Sequence, residues 1–251
     1  MSEATLRQLR KFIDGMLGQG AAEGFNARMP HLSALLDAEV TDLDLVKPDE
    51  LRRFITARAA ELRGASQPTP NPLEWIKFYR EVFGIELDFT GVHIPAARPG
   101  FNWPIVVVEG MTANRAYDEC AKRFPSWRST KDLDEAVAGR NDRDPNATYV
   151  VLVRDRIEAD QELKNKSAED LRRAKIAGVT LLERILLELW YFWKTGNHLD
   201  VQNVTLCSGS RDADGDVPCT RWHGEFRIGS VWCDPAYRTR DLRSRPVVSA
   251  G

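Results

Sequence analysis

The chain has no long hydrophobic run. Its most apolar stretch, Val179 to Trp193, contains Glu183, Arg184 and Glu188 and is too short to cross a bilayer, so membrane insertion is not expected. Cysteine is sparse. Cys120, Cys207, Cys219 and Cys233 are the only four in 251 residues, too few for a disulfide scaffold. Reduced thiols are expected, with one disulfide among the last three left open. No cysteine pair has C-x-x-C spacing, and His31, His93, His198 and His223 form no i, i+4 pair, so no metal is expected. Nucleophile turns of the G-x-S-x-G type and glycine-rich phosphate loops are missing, and Ser208-Gly209-Ser210 lacks the strand–loop–helix setting of a phosphate site. No cofactor is expected. Charge of one sign is also lacking. The formal net charge is −2, and Arg238, Arg240, Arg243 and Arg245 are interspersed with Asp234 and Asp241. Nucleic acid and anionic membrane are therefore not the expected partners. The opening MSEATLRQLRKF is charged from the start and shows no secretory signal. The cytoplasm is the default expectation, with surface display by another route left open.

What is present falls into three parts. Residues 1–64 read as helical. Leu6, Leu9, Phe12, Ile13, Met16 and Leu17 recur at three- and four-residue steps, and Leu51, Phe54, Ile55, Ala59 and Leu62 repeat the pattern before Gly64. Residues 65–72, ASQPTPNP, hold three prolines in eight positions and read as a stiff linker and domain boundary. From 73 to 251 helical and strand patterns alternate. Leu73 to Phe83 is a helix, Ile85 to Phe89 a half-buried strand and Pro104 to Val108 a buried one. Thr112 caps a helix through Phe124 with Ala116, Tyr117, Cys120 and Ala121 inward, and Thr148 to Val153 is a further buried strand. Thr180-Leu181-Leu182-Glu183 is a capping box, and Gly196 stops the apolar helix that it opens. Asn203 to Cys207 reads as the last strand. The fold class is α+β with a small sheet and long ordered loops, preceded by the helical N-terminal region.

The segment Cys207 to Arg245 contains two tryptophans, two prolines, four glycines and three cysteines among alternating charges. It has too few contiguous apolar residues to make its own core. Trp222, Phe226, Ile228, Val231 and Trp232 nevertheless need burial. An ordered surface pinned by aromatics onto a folded base satisfies both demands, and such surfaces serve recognition.

Several runs carry a resemblance: YDECAKRFPSW (Tyr117–Trp127), RDRIEADQELKNKSAEDL (Arg154–Leu171), GVTLLERILLELWYFWKTGNHLD (Gly178–Asp200), TLCSGSR (Thr205–Arg211) and DLRSRPVVS (Asp241–Ser249). Over residues 73 to 251 the chain resembles a family from poorly cultured bacteria that looks like variable proteins of diversity-generating retroelements. In those proteins error-prone reverse transcription rewrites codons near the 3′ end of the gene. The resemblance implies a C-type-lectin-like antiparallel sheet domain with its variable surface at 207–245, and non-catalytic binding of a protein ligand. It implies as ligand-binding positions Asp212, Asp216, Cys219, Arg221, His223, Gly224, Arg227, Gly229, Ser230, Cys233, Tyr237, Arg238, Thr239 and Arg240. Trp222, Phe226, Trp232, Leu242 and the run Pro246-Val247-Val248 are the implied scaffold. Substitution at adenines of asparagine codons does not produce Lys, Gln, Met, Glu or Trp. The segment from Cys207 to Arg245 has no Lys, Gln or Met, which leaves Glu225, Trp222 and Trp232 as framework.

Other readings compete with this one. Asp212-Ala213-Asp214-Gly215-Asp216 has the beginning of a calcium loop but no glutamate at the required later position, and is read as an acidic turn. Formylglycine-generating oxidases share the broad fold and use paired cysteines, which Cys207 with Cys219 or Cys233 imitates. Glu158 and Asp160 are candidate acid–base groups, read instead as a solvated helix face. The Leu6, Phe12 and Met16 face offers a docking or self-association role for the N-terminal helices.

Overall fold

The computed structural model describes residues 73–144 and 146–250, without the side chains of Leu73, Ser230 and Val231. The expectations for 1–64 and for the linker at 65–72 lie outside the described residues. In chain order the elements are α1 (Leu73–Phe83), β1 (Trp103–Val107), α2 (Ala113–Arg123), β2 (Ser126–Arg128), α3 (Leu133–Ala136), β3 (Tyr149–Val153), α4 (Ala168–Arg173), α5 (Leu181–Thr195), β4 (Val204–Leu206), β5 (Val217–Trp222), β6 (Phe226–Cys233), β7 (Leu242–Ser244) and β8 (Val248–Ser249). A short 3₁₀ turn, Gln161–Leu163, precedes α4.

The domain is mixed α and β with two small sheets. One is antiparallel, in the order β1-β3-β8; the other runs β2-β6-β5-β4-β7. Within the second sheet β4, β5 and β6 are antiparallel, while β2 joins β6 and β7 joins β4 in parallel. The chain end therefore returns to both sheets: β7 flanks β4 and β8 flanks β3.

Helix α5 organises the interior. Thr180 accepts from the Glu183 backbone N–H while the Glu183 carboxylate accepts from that of Thr180, and Gly196 closes the helix with a φ of 69°. Every residue from Leu181 to Tyr191 is buried. At roughly 1.5–3 kcal/mol for each large apolar side chain removed from water, this helix contributes more burial than any other described element. It packs on α1, α2 and β1. Rings join it to its neighbours: Trp190 stacks on Trp75 of α1 at 5.7 Å, and Trp103 of β1 meets Trp190 edge-on.

The same helix buries charge. Arg184 and Glu188 are fully buried and hydrogen-bonded to each other at 2.9 Å. Nε and Nη2 of Arg184 reach Asp200 Oδ2 at 3.0 and 2.8 Å, and Arg245 Nη2 reaches Asp200 Oδ1 at 2.7 Å. Asp200 also accepts from the Ala159 backbone and from the Thr205 hydroxyl. Arg245 donates to the carbonyls of Arg156 and Ile157. Burial alone would lift the Asp200 carboxyl, but Arg245 and Arg184 outweigh it and hold the group below its ordinary value. Burial likewise opposes the charge on Arg184, and Asp200 and Glu188 overcome it.

Several expectations are corrected. Ile85 to Phe89 is not a strand, because its alternating acidic residues have no neighbouring strand to pair with. Ala121 is exposed, one position beyond the inward stripe of α2. Asp160 does not lie on a solvated helix: it is 1% exposed and paired with Arg154, although burial still lifts its carboxyl above the ordinary value. Glu158 accepts from the backbone of Gln202 and Asn203. Asn203 to Cys207 is not the last strand, since the segment after it supplies β5 to β8.

Breaking the buried network has a calculable consequence. Asp200→Asn leaves two buried guanidiniums short of a counter-charge and is expected to destabilise the domain by about 3–5 kcal/mol, measured by urea unfolding. Because the folded-state carboxyl is depressed, its contribution in the wild type is present above about pH 4 and is lost as pH falls below that. The Asp200→Asn protein lacks this part of the acid sensitivity.

Candidate functional site

The β5–β6 hairpin carries most of the implied surface. Its strands are joined by His223-Gly224-Glu225, with the His223 N–H bonded to the Glu225 carbonyl and Gly224 at a φ of 71°. A side chain at Gly224 would be strained in that left-handed turn. Alternation along the strands sorts their residues onto two faces. Phe226, Ile228 and Thr220 face the main core and are fully buried. Val217, Cys219 and Cys233 face a second apolar cluster with Leu163, Leu171, Leu206 and Leu242.

Towards the hairpin tip this second face runs beyond its cover. The register aligns Trp127 of β2 with Arg227 of β6, and Arg227 with Arg221 of β5. The result is one row across three strands, with Trp127 40% exposed and both arginines half-buried. The Arg227 guanidinium lies over the Trp127 ring at 5.8 Å and pairs with Glu225 at 2.7 Å. Such a cation–π contact holds a flexible cation in a defined place.

Behind the tip, ring packing fixes the hairpin. Trp222 stacks on His198 with centroids 3.3 Å apart and planes at 6°, and His198 stacks in turn on Phe192. His198 Nδ1 meets Glu188 Oε1 at 2.9 Å. A continuous path therefore runs from the buried ion network through an imidazole to the hairpin. These contacts make His198 a spacer between a carboxylate and an indole. Trp232, half-buried, donates to the Ser129 hydroxyl at 3.0 Å.

A second displayed segment is the turn at 234–241. It docks on α4 through Glu169 N–H to the Pro235 carbonyl and through Arg238 near Asp170 at 3.5 Å. Tyr237 is 47% exposed, Arg238 and Arg240 are exposed, and the Thr239 hydroxyl is used on Asp241. The acidic turn forms a third. Asp212 Oδ1 accepts from the backbone of both Asp214 and Asp216, which closes the loop on itself. Partial burial and the neighbouring Asp212, Asp234 and Asp214 push the Asp216 carboxyl upward. A groove of about 550 Å³ runs beside this turn, lined by Thr130, Glu135, Arg140, Asp212, Asp214 and Trp232 among others.

Not every implied position reaches the surface. Cys219 and Cys233 are each 2% exposed, because both point into the second apolar cluster. Gly229 is also buried. Its φ is +60°, and a Cβ there would lie 2.8 Å from Trp232 Nε1 and 2.7 Å from Ser129 Oγ. These three offer a ligand no side chain. Ser230 lies on β6, with its side chain outside the described residues. Asp212, Asp216, Arg221, His223, Gly224, Arg227, Tyr237, Arg238, Thr239 and Arg240 are half-buried or exposed. Sequence reasoning missed Trp127, whose signal was a large ring alternating with polar neighbours in Ser126-Trp127-Arg128. The thiol considered as an oxidase group, Cys207, is fully buried, and burial pushes it up to about 12.

Among the described residues no cluster of three His, Cys, Asp or Glu is placed to hold a metal ion, and no helix is long and apolar enough to cross a membrane. Compared with protein-family models, curated proteins and solved structures, the chain matches none.

The division between pinned and displayed residues is measurable. Trp222→Ala, which empties the stack on His198, is expected to lower unfolding stability by about 2–4 kcal/mol. Arg221→Ala, His223→Ala and Tyr237→Ala are each expected to stay within about 0.5 kcal/mol of the parent by the same urea titration.

Proposed function

We propose that this chain is a non-catalytic recognition protein that binds a protein ligand through the hairpin tip, the 234–241 turn and the acidic turn. We further propose that its domain is of the C-type-lectin-like kind and that it is the diversified product of a retroelement. One observation supports the reading: the segment from 207 to 245 sets buried apolar anchors beside displayed polar side chains. Phe226, Ile228 and Leu242 are at most 1% exposed, whereas His223, Tyr237, Arg238 and Arg240 lie on the outside.

The chemistry of the outer set fits recognition of protein. Tyr237 and Trp127 offer large apolar area with little rotamer entropy to lose, and arginine adds a planar fork of donors. The binding set is narrower than the resemblance implied. Cys219, Cys233 and Gly229 leave it as scaffold, and Trp127 enters it.

Two measurements test this. Codon randomisation at 221, 223, 227, 237, 238 and 240 should leave the yield of folded protein close to the parent, while randomisation at 222, 226, 229 and 242 should abolish it in most clones. Comparable losses in both libraries would overturn the separation of display from scaffold. Sequencing the flanking DNA should find a reverse transcriptase gene and a near-copy of the Cys207–Arg245 coding sequence that differs at adenines. A locus with neither would remove the retroelement reading.

A further inference from the structure

Cys219 on β5 and Cys233 on β6 stand fourteen positions apart in sequence, yet their sulfurs are 2.6 Å apart. An irregularity in the hairpin brings them together. Between the aligned pairs Pro218–Trp232 and Thr220–Ile228, β5 has the single residue Cys219 and β6 has residues 229–231. Such a bulge shortens one strand against the other and re-aims the side chains at its edge. Gly229, held left-handed and unable to accept a Cβ, lies in that bulge. Leu206, Val217, Leu242, Leu163 and Leu171 enclose the two sulfurs. The remaining thiols lie elsewhere: Cys207 and Cys120 belong to the main core, on the opposite side of the five-stranded sheet from the pair.

We propose that Cys219 and Cys233 are a dithiol–disulfide pair whose oxidation ties the base of the recognition hairpin. The two sulfurs belong to adjacent strands and sit side by side in a closed apolar pocket, so the covalent bond needs only a small closing movement. The thiol chemistry is also asymmetric. The hydrogen bond from Cys219 holds the Cys233 thiol below its ordinary value despite burial, while the same contact and burial raise Cys219.

The oxidant is a disulfide of the glutathione class. In the open hairpin the thiolate of one cysteine of the pair attacks one of its sulfurs, forming a mixed disulfide and expelling one glutathione thiolate. The other cysteine passes its proton to that thiolate and attacks the sulfur of the first, forming the Cys219–Cys233 bond and expelling the second glutathione. Two protein thiols are oxidised by two electrons, and one glutathione disulfide is reduced to two thiols. Because both sulfurs are 2% exposed, exchange takes place in the open hairpin, before the apolar cluster closes over it. Once folded, the pair is shielded from reductant as well as oxidant.

The test is refolding of the full chain in buffers spanning reduced to oxidised glutathione. Each sample is acid-quenched, alkylated with N-ethylmaleimide under denaturing conditions and mapped by peptide mass. Towards the oxidised end, a peptide pair linked through Cys219 and Cys233 should accumulate, two hydrogens lighter than the thiol form, with Cys120 and Cys207 alkylated. The oxidised protein should melt about 5–10 °C above the reduced protein, the shift that closing a loop of this length gives in a domain of this size. Dithiothreitol should reduce it readily in urea and slowly without. Full alkylation of both cysteines at every ratio, a link that involves Cys120 or Cys207, or equal melting temperatures would overturn the proposal.

Discussion

The structure depends on a single carboxylate. Asp200 is fully buried between Arg184 and Arg245, with Arg184 also paired to Glu188 and Arg245 also donating to the carbonyls of Arg156 and Ile157. A buried ion network of this kind is not in itself a source of great stability, because desolvation cancels much of the attraction. What it supplies is uniqueness. Arg184 comes from the central helix, Asp200 from the loop that leaves it, and Arg245 from the segment between β7 and β8. Any packing that displaces one element by a turn strands an uncompensated charge inside the protein. The arrangement therefore selects one path for the chain end through two sheets.

That selection extends outward. Glu188 shares Arg184 with Asp200 and holds His198, and the imidazole supports Trp222 at the root of the hairpin. Each step replaces a strongly solvated group by a less polar one, from carboxylate to imidazole to indole. The interior of the domain and the displayed surface are thus joined by contacts rather than by backbone alone. A rigid base with outward polar side chains is the physical requirement of a surface whose side chains are free to differ.

Local features were legible in the sequence where a single segment contains the whole reason for its structure. The Thr180–Glu183 capping box and Gly196 mark both ends of the central helix, and the apolar run at 149–153 marks a buried strand. The reading failed where the reason lies elsewhere in the chain. Ile85 to Phe89 alternates correctly and still forms no strand, because a strand needs a neighbour. The hairpin at 217–233 lies beyond the expected last strand because its segment has few contiguous apolar residues, yet Phe226-Arg227-Ile228 already alternates. The ion network was invisible because its partners are 16 and 45 positions apart. Charges in an apolar helix look like surface until their counter-charges are found. Within the candidate site, residue type separated ring anchors from polar display, but it did not place Cys219, Cys233 and Gly229 inside.

The parallel alignment of β2 with β6 has one more consequence. Trp127 stands beside Arg227 in space but a hundred positions before it in the chain. A mutational process confined to the 3′ end of a gene does not reach the codon of Trp127. On the recognition reading, the contact surface is therefore hybrid, with an inherited ring on one strand beside side chains renewed on the next. Every version of the protein would meet its target with the same aromatic foothold and a different neighbour.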